Sequence, residues 1–61
     1  MSFLILIIED EIPQAEMLRY NLESDGFRTI LATTGEEAIG RIGVEVPDLI
    51  IVDWMLPESW G

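Results

Sequence analysis

The chain has 61 residues, twelve of them acidic against three arginines and no lysine, for a net charge of −9. That balance argues against direct binding to nucleic-acid phosphates and favours cations or basic partners. The absence of Cys and His removes disulfides, thiolate metal sites, the commonest metal ligand and the commonest general base.

This length permits one domain, and so short a chain buries only about 60% of the surface its unfolded form exposes. With 49% of the residues hydrophobic, covering layers are in short supply. No apolar run is long enough to span a membrane. Ser2 to Ile8 is apolar but lacks a basic leader and a small-residue cleavage site, so it is not read as a signal peptide. A cytoplasmic protein without membrane contact is expected.

Phe3 to Ile8 is apolar throughout and rich in Ile, the pattern of a central strand in a parallel sheet. Three acids follow, Glu9-Asp10-Glu11. Taken alone they read as a solvated turn whose charge suits the next helix's N-terminus. Pro13 fits the first turn of that helix. It runs to about Ser24 or Asp25, with Ile12, Ala15, Leu18 and Leu22 on one face and Met17, Tyr20 and Asn21 flanking. Gly26 is placed to end it in the left-handed region.

Phe27 to Ala32 is a second strand of mixed character, closer to an edge. Thr33 to Glu37 opens a second helix, and Thr34 with Glu37 has capping-box spacing. Ala38, Ile39 and Ile42 form a narrow apolar stripe, and Gly40 and Gly43 weaken the helix. Gly43 to Pro47 is the expected return loop. Asp48 leads into Leu49-Ile50-Ile51-Val52-Asp53, a short apolar run that reads as a strand buried on both faces. Pro57 cannot join a ladder, so regular strand is over by then.

The order is β-α-β-α-β, the unit of a doubly wound parallel α/β sheet. In the common strand order 2-1-3 the first and third strands are neighbours. Their carboxyl ends then bring Glu9, Asp10 and Asp53 together. Clustered carboxylates repel, and a divalent cation removes the conflict. Hard oxygen ligands are what Mg²⁺ prefers. The alternative is a surface acid cluster with a strand-terminal Asp that caps a turn, and spacing alone leaves both open.

Three blocks carry a family resemblance. They are Ile7-Ile8-Glu9-Asp10-Glu11; Leu18-Arg19-Tyr20-Asn21-Leu22-Glu23 with Asp25-Gly26-Phe27; and Pro47-Asp48-Leu49-Ile50-Ile51-Val52-Asp53-Trp54-Met55-Leu56-Pro57. Together they resemble the N-terminal half of the receiver domain of two-component response regulators, and the last block is most similar to the OmpR/PhoB class of transcription factors. The resemblance covers essentially the whole chain, residues 1–61, and implies a flavodoxin-like half-fold. It further implies that Asp53 is the phosphoacceptor, phosphorylated from a sensor histidine kinase. Glu9, Asp10, Asp53 and the backbone carbonyl of Met55 would surround Mg²⁺. Pro57 and Gly61 would shape the loop after the site, and Trp54 is read as a packing ring beside it rather than a partner-binding one. Such a domain assists its own phosphoryl transfer and is not counted as an enzyme.

The chain departs from the family in three ways. The family domain is about twice as long. Its fourth strand carries a Ser or Thr that reads the phosphoryl group, and its fifth a Lys that pairs with the phosphoryl oxygens. At Trp60 the family more often has a small residue. A truncated receiver is therefore expected, with its third strand turned into a flat apolar edge. Such an edge predicts a homo-oligomer, completed by dimerisation or helix swapping through the third strand. Two functions compete: an impaired phosphoacceptor from a transcriptional regulator, and a non-catalytic assembly module that keeps the half-fold.

Overall fold

The computed structural model describes residues 3–53, and of residue 53 the backbone only. Five elements follow in order: β1 (Leu4–Glu9), α1 (Ile12–Ser24), β2 (Arg28–Ala32), α2 (Gly35–Val44) and β3 (Leu49–Asp53). The strands form one sheet in the order β2-β1-β3, and both pairings are parallel. This is the flavodoxin-like half-fold expected from the sequence. No helix among the described residues is long and apolar enough to cross a membrane.

β1 is central because it is the strand that can afford no contact with water. All six of its residues are buried, Leu6 and Ile7 completely. It runs one residue further than expected at its carboxyl end and starts one residue later. Phe3 stays half exposed before the ladder, with its ring edge-on to Phe27 at 5.7 Å. Glu9 joins the strand because it has a ladder partner in residue 53.

Side chains alternate along a strand, so β1 presents two faces. Leu6 and Ile8 pack with Ala32 and Ala38, and Ile30 and Ile42 close over them. That is the α2 face. Ile5, Ile7 and Glu9 point to the other. The first crossover moves from β1 to β2, and the second returns past β1 to β3. Right-handedness of both puts α1 on the face opposite α2, where Ala15 is its buried contact residue.

Helix ends are set by local chemistry. α1 ends in a Schellman arrangement: Gly26 at φ +95° donates to the Glu23 carbonyl at 3.0 Å, and Phe27 donates to Leu22 at 3.1 Å. Thr34 caps α2, its Oγ1 accepting from the Glu37 N–H at 3.0 Å. The return bond of the expected capping box goes one residue further back, Thr33 N–H donating to Glu37 Oε1 at 2.9 Å. α2 also continues past Gly43 to Val44, so the return loop is shorter than 43–47.

Two expected apolar stripes prove narrower. Ile12 is exposed because it opens α1 at the rim of the sheet, and Ile39 is exposed on the outer side of α2. Both helices pack on β1 and β2, and among the described residues neither packs on β3. Leu49, Ile50 and Val52 are therefore 47%, 45% and 50% exposed, where the apolar run alone predicts burial on both faces. Among the described residues β3 is an open edge strand, as expected.

Candidate functional site

The site is built where β1 and β3 end. A parallel ladder aligns the carboxyl ends of adjacent strands, and its last pair here is Glu9 with Asp53. Neighbouring strands lie about 4.8 Å apart, so residue 53 stands beside residue 9 on the same rim. Forty-odd residues of sequence separation are cancelled by two crossovers and one hydrogen-bonded register.

Glu9 is the buried charged residue of the described chain, at 4% exposure. Leaving a buried carboxylate without hydrogen bonds is costly, and its Oε1 accepts from the Glu11 N–H at 3.0 Å. Glu11 is the N-cap of α1 and makes no side-chain cap of its own. Glu9 thus sits at the N-terminal end of α1, where backbone N–H groups point outward as donors. Asp10 follows in the bend between β1 and α1 and is exposed. The expected acidic run is therefore split by function: one carboxylate inside the sheet, two outside it.

The expected ligands Glu9 and Asp10 lie together at this rim, with the backbone of residue 53 alongside Glu9. Among the described residues no three metal-ligating side chains form a cluster. The Asp53 side chain and the Met55 carbonyl lie outside the described residues, as do Trp54, Pro57, Trp60 and Gly61. The chain has no Cys or His, so the carboxylates among the described residues at this rim offer oxygen donors, which fit Mg²⁺ rather than the softer transition metals. The buried, hydrogen-bonded Glu9 is an observation in favour of that fit.

The profile of the response regulator receiver domain matches residues 5–61. The chain belongs to the response regulator receiver domain family. The phosphate regulon transcriptional regulatory protein PhoB of Rhizobium meliloti (strain 1021) is 47% identical over 57 residues, 93% of this chain and 25% of that protein. The alkaline phosphatase synthesis transcriptional regulatory protein PhoP of Bacillus subtilis (strain 168) is 46% identical, covering 93% of this chain and 24% of that protein. The PhoB protein of Escherichia coli (strain K12) is 42% identical over the same shares as the first. The receiver chain therefore spans about a quarter of the length of the curated relatives it matches. No solved structure matches it significantly.

One residue of consequence was not singled out from the sequence. Asp48 bonds the start of β1: the Leu4 N–H donates to Asp48 Oδ2 at 2.7 Å, and the Asp48 N–H donates to the Leu4 carbonyl at 2.8 Å. The partners are 44 residues apart. The available signal was an Asp directly after Pro47, at the point where the ladder runs out of backbone acceptors for the Leu4 N–H.

Proposed function

We propose that this receiver chain accepts a phosphoryl group on Asp53 in two-component signalling, as part of a cytoplasmic transcriptional regulator whose partner is a sensor histidine kinase. The observation that carries the reading is the ladder register, Glu9 opposite Asp53. A carboxylate oxygen of Asp53 forms a bond to phosphorus as the phosphorus–nitrogen bond of a phosphohistidine breaks. The electron pair of that bond leaves with the imidazole. Glu9 and Asp10, with Asp53 and the Met55 carbonyl, are the residues that would hold Mg²⁺. Bound there, the ion offsets the negative charge that gathers as phosphoryl and carboxylate oxygens approach. The rest of the task is positioning, for which the parallel register of β1 and β3 is the framework. Asp53 is consumed as acceptor, so the chain is not counted as an enzyme.

Incubation with acetyl phosphate and Mg²⁺, read by intact mass, tests this. One added phosphoryl group, lost in Asp53→Ala and on omission of Mg²⁺, is the expected result. Labelling that persists in Asp53→Ala, or no labelling of the wild-type chain, sinks the reading.

A second reading, a non-catalytic assembly module, is favoured by one observation: the half-exposed Leu49, Ile50 and Val52 on an edge strand. Two copies would pair through β3, helped by salt that screens the net charge of −9 on each. Sedimentation at micromolar concentration decides, and a monomer at high salt removes it.

A further inference from the structure

We propose that Asp48 is the positioning residue that sets the register of β3 and thereby holds residue 53 opposite Glu9. For its consequence in phosphoryl transfer this rests on the acceptor role of Asp53; for its geometry it does not.

A buried face normally fixes register, because a slip of one residue moves the apolar set into water. β3 has no such lock. Leu49, Ile50, Ile51 and Val52 are all apolar; Leu49 on one face is as exposed as Ile50 and Val52 on the other, and only Ile51 is partly buried, so a slipped strand still places an apolar side chain at that position. Neither helix packs on β3 among the described residues. A slip of one or two residues therefore costs little apolar contact, yet it moves residue 53 along the rim by about 3.3 Å per residue. At such a shift residue 53 no longer stands opposite Glu9 on the rim.

What distinguishes one register from the next is at the other end of the strand. Ladder pairing starts at Ile5 with Leu49. One residue earlier on β1, the Leu4 N–H belongs to a buried residue and needs an acceptor. Pro47 stops the ladder from extending, since it has no N–H to give. The Asp48 carboxylate takes the Leu4 N–H at 2.7 Å, while its own N–H takes the Leu4 carbonyl at 2.8 Å. The two bonds hold residue 48 to residue 4, and five residues of extended chain then deliver residue 53 to residue 9. A charge-assisted bond to a backbone N–H is of the stronger kind, and in the slipped registers it has no counterpart.

The test uses the full chain with Asp48→Ala and Asp48→Asn; the amide keeps an acceptor oxygen in the same place. Two quantities are read: amide hydrogen exchange at Leu4 relative to Ile7, and the rate of labelling by acetyl phosphate with Mg²⁺. Asp48→Ala is expected to lower relative Leu4 protection and labelling about tenfold or more, and Asp48→Asn to keep both within about threefold, as loss or retention of one such bond requires. Cross-strand proton contacts between Ile7 and Ile51 should weaken in the alanine variant and persist in the amide. Wild-type protection and labelling in Asp48→Ala overturn the inference. If the alanine variant does not fold, the isosteric amide decides: loss of Leu4 protection or of the Ile7–Ile51 contacts overturns it, and their retention supports it. Failure of the acceptor reading is distinct, because the wild-type chain then stays unlabelled while the Leu4 and Ile7–Ile51 signals still respond to Asp48.

Discussion

Two truncations of the same size should differ sharply in cost. Ile7 in β1 is 0% exposed and Ile50 in β3 is 45% exposed. Replacing either by Ala removes the same three carbons. At Ile7 the loss is full transfer plus the cavity left between two layers, about 3–4 kcal/mol within the range for buried Ile→Ala. At Ile50 the transfer part is about 0.8 kcal/mol per carbon, roughly halved by exposure, with no cavity to add, so about 1 kcal/mol is expected. Urea unfolding followed by circular dichroism, at two well-separated protein concentrations, measures both. A chain of this length has about 3–9 kcal/mol to lose, so Ile7→Val, at about 1 kcal/mol, stands in if Ile7→Ala is unfolded in water. Equal costs at the two sites would refute the layering, because β3 would then have to be as covered as β1. A cost at Ile50 that rises with concentration would instead mean that a second copy covers it.

Backbone and capping positions make further predictions of defined sign. Gly26→Ala should destabilise by about 1–2 kcal/mol, because φ +95° is strained for a residue with a Cβ although no atom lies within 4 Å to clash. Gly40→Ala should do the opposite, gaining about 0.5–1 kcal/mol, since the same open space surrounds an ordinary helical position; thermal or urea midpoints of the two variants must move apart. Thr34→Ala should cost about 1 kcal/mol by freeing the Glu37 N–H, and Thr34→Ser should cost little; equal midpoints for Ala and Ser would show that the cap contributes nothing.

The parts of this fold that were legible in the sequence rest on local signals. Gly26 announces a left-handed helix end, and Thr34 with Glu37 announces a helix start. The solid apolar run of β1 announces a central strand. Other features were decided by groups far away in the chain. Glu9 reads as the first of three solvated acids, yet it lies in the sheet, because a strand continues for as long as it has a partner and residue 53 supplies one. Gly43 reads as a breaker, but its propensity cost of about 1 kcal/mol does not end α2, and Glu45 still donates to the Arg41 carbonyl at 2.9 Å. β3 carries the sequence of a doubly covered strand while neither described helix reaches it: an apolar run states what a strand can bury, not what is there to bury it.

The candidate site shows the same division from the other side. Nothing local to Glu9 or Asp53 predicts that they meet. Their proximity follows from the strand order: with β1 between β2 and β3 and all three strands parallel, the carboxyl ends of β1 and β3 are neighbours, while right-handed crossovers decide only which face each helix covers. Topology therefore sets which rim the acids share, but only to within a residue or two along the strand. The last few ångströms, on which any shared cation depends, are left to bonds such as those between Asp48 and Leu4. A fold rule and one polar side chain thus divide the task of bringing residues 9 and 53 together, and only the first can be read without coordinates.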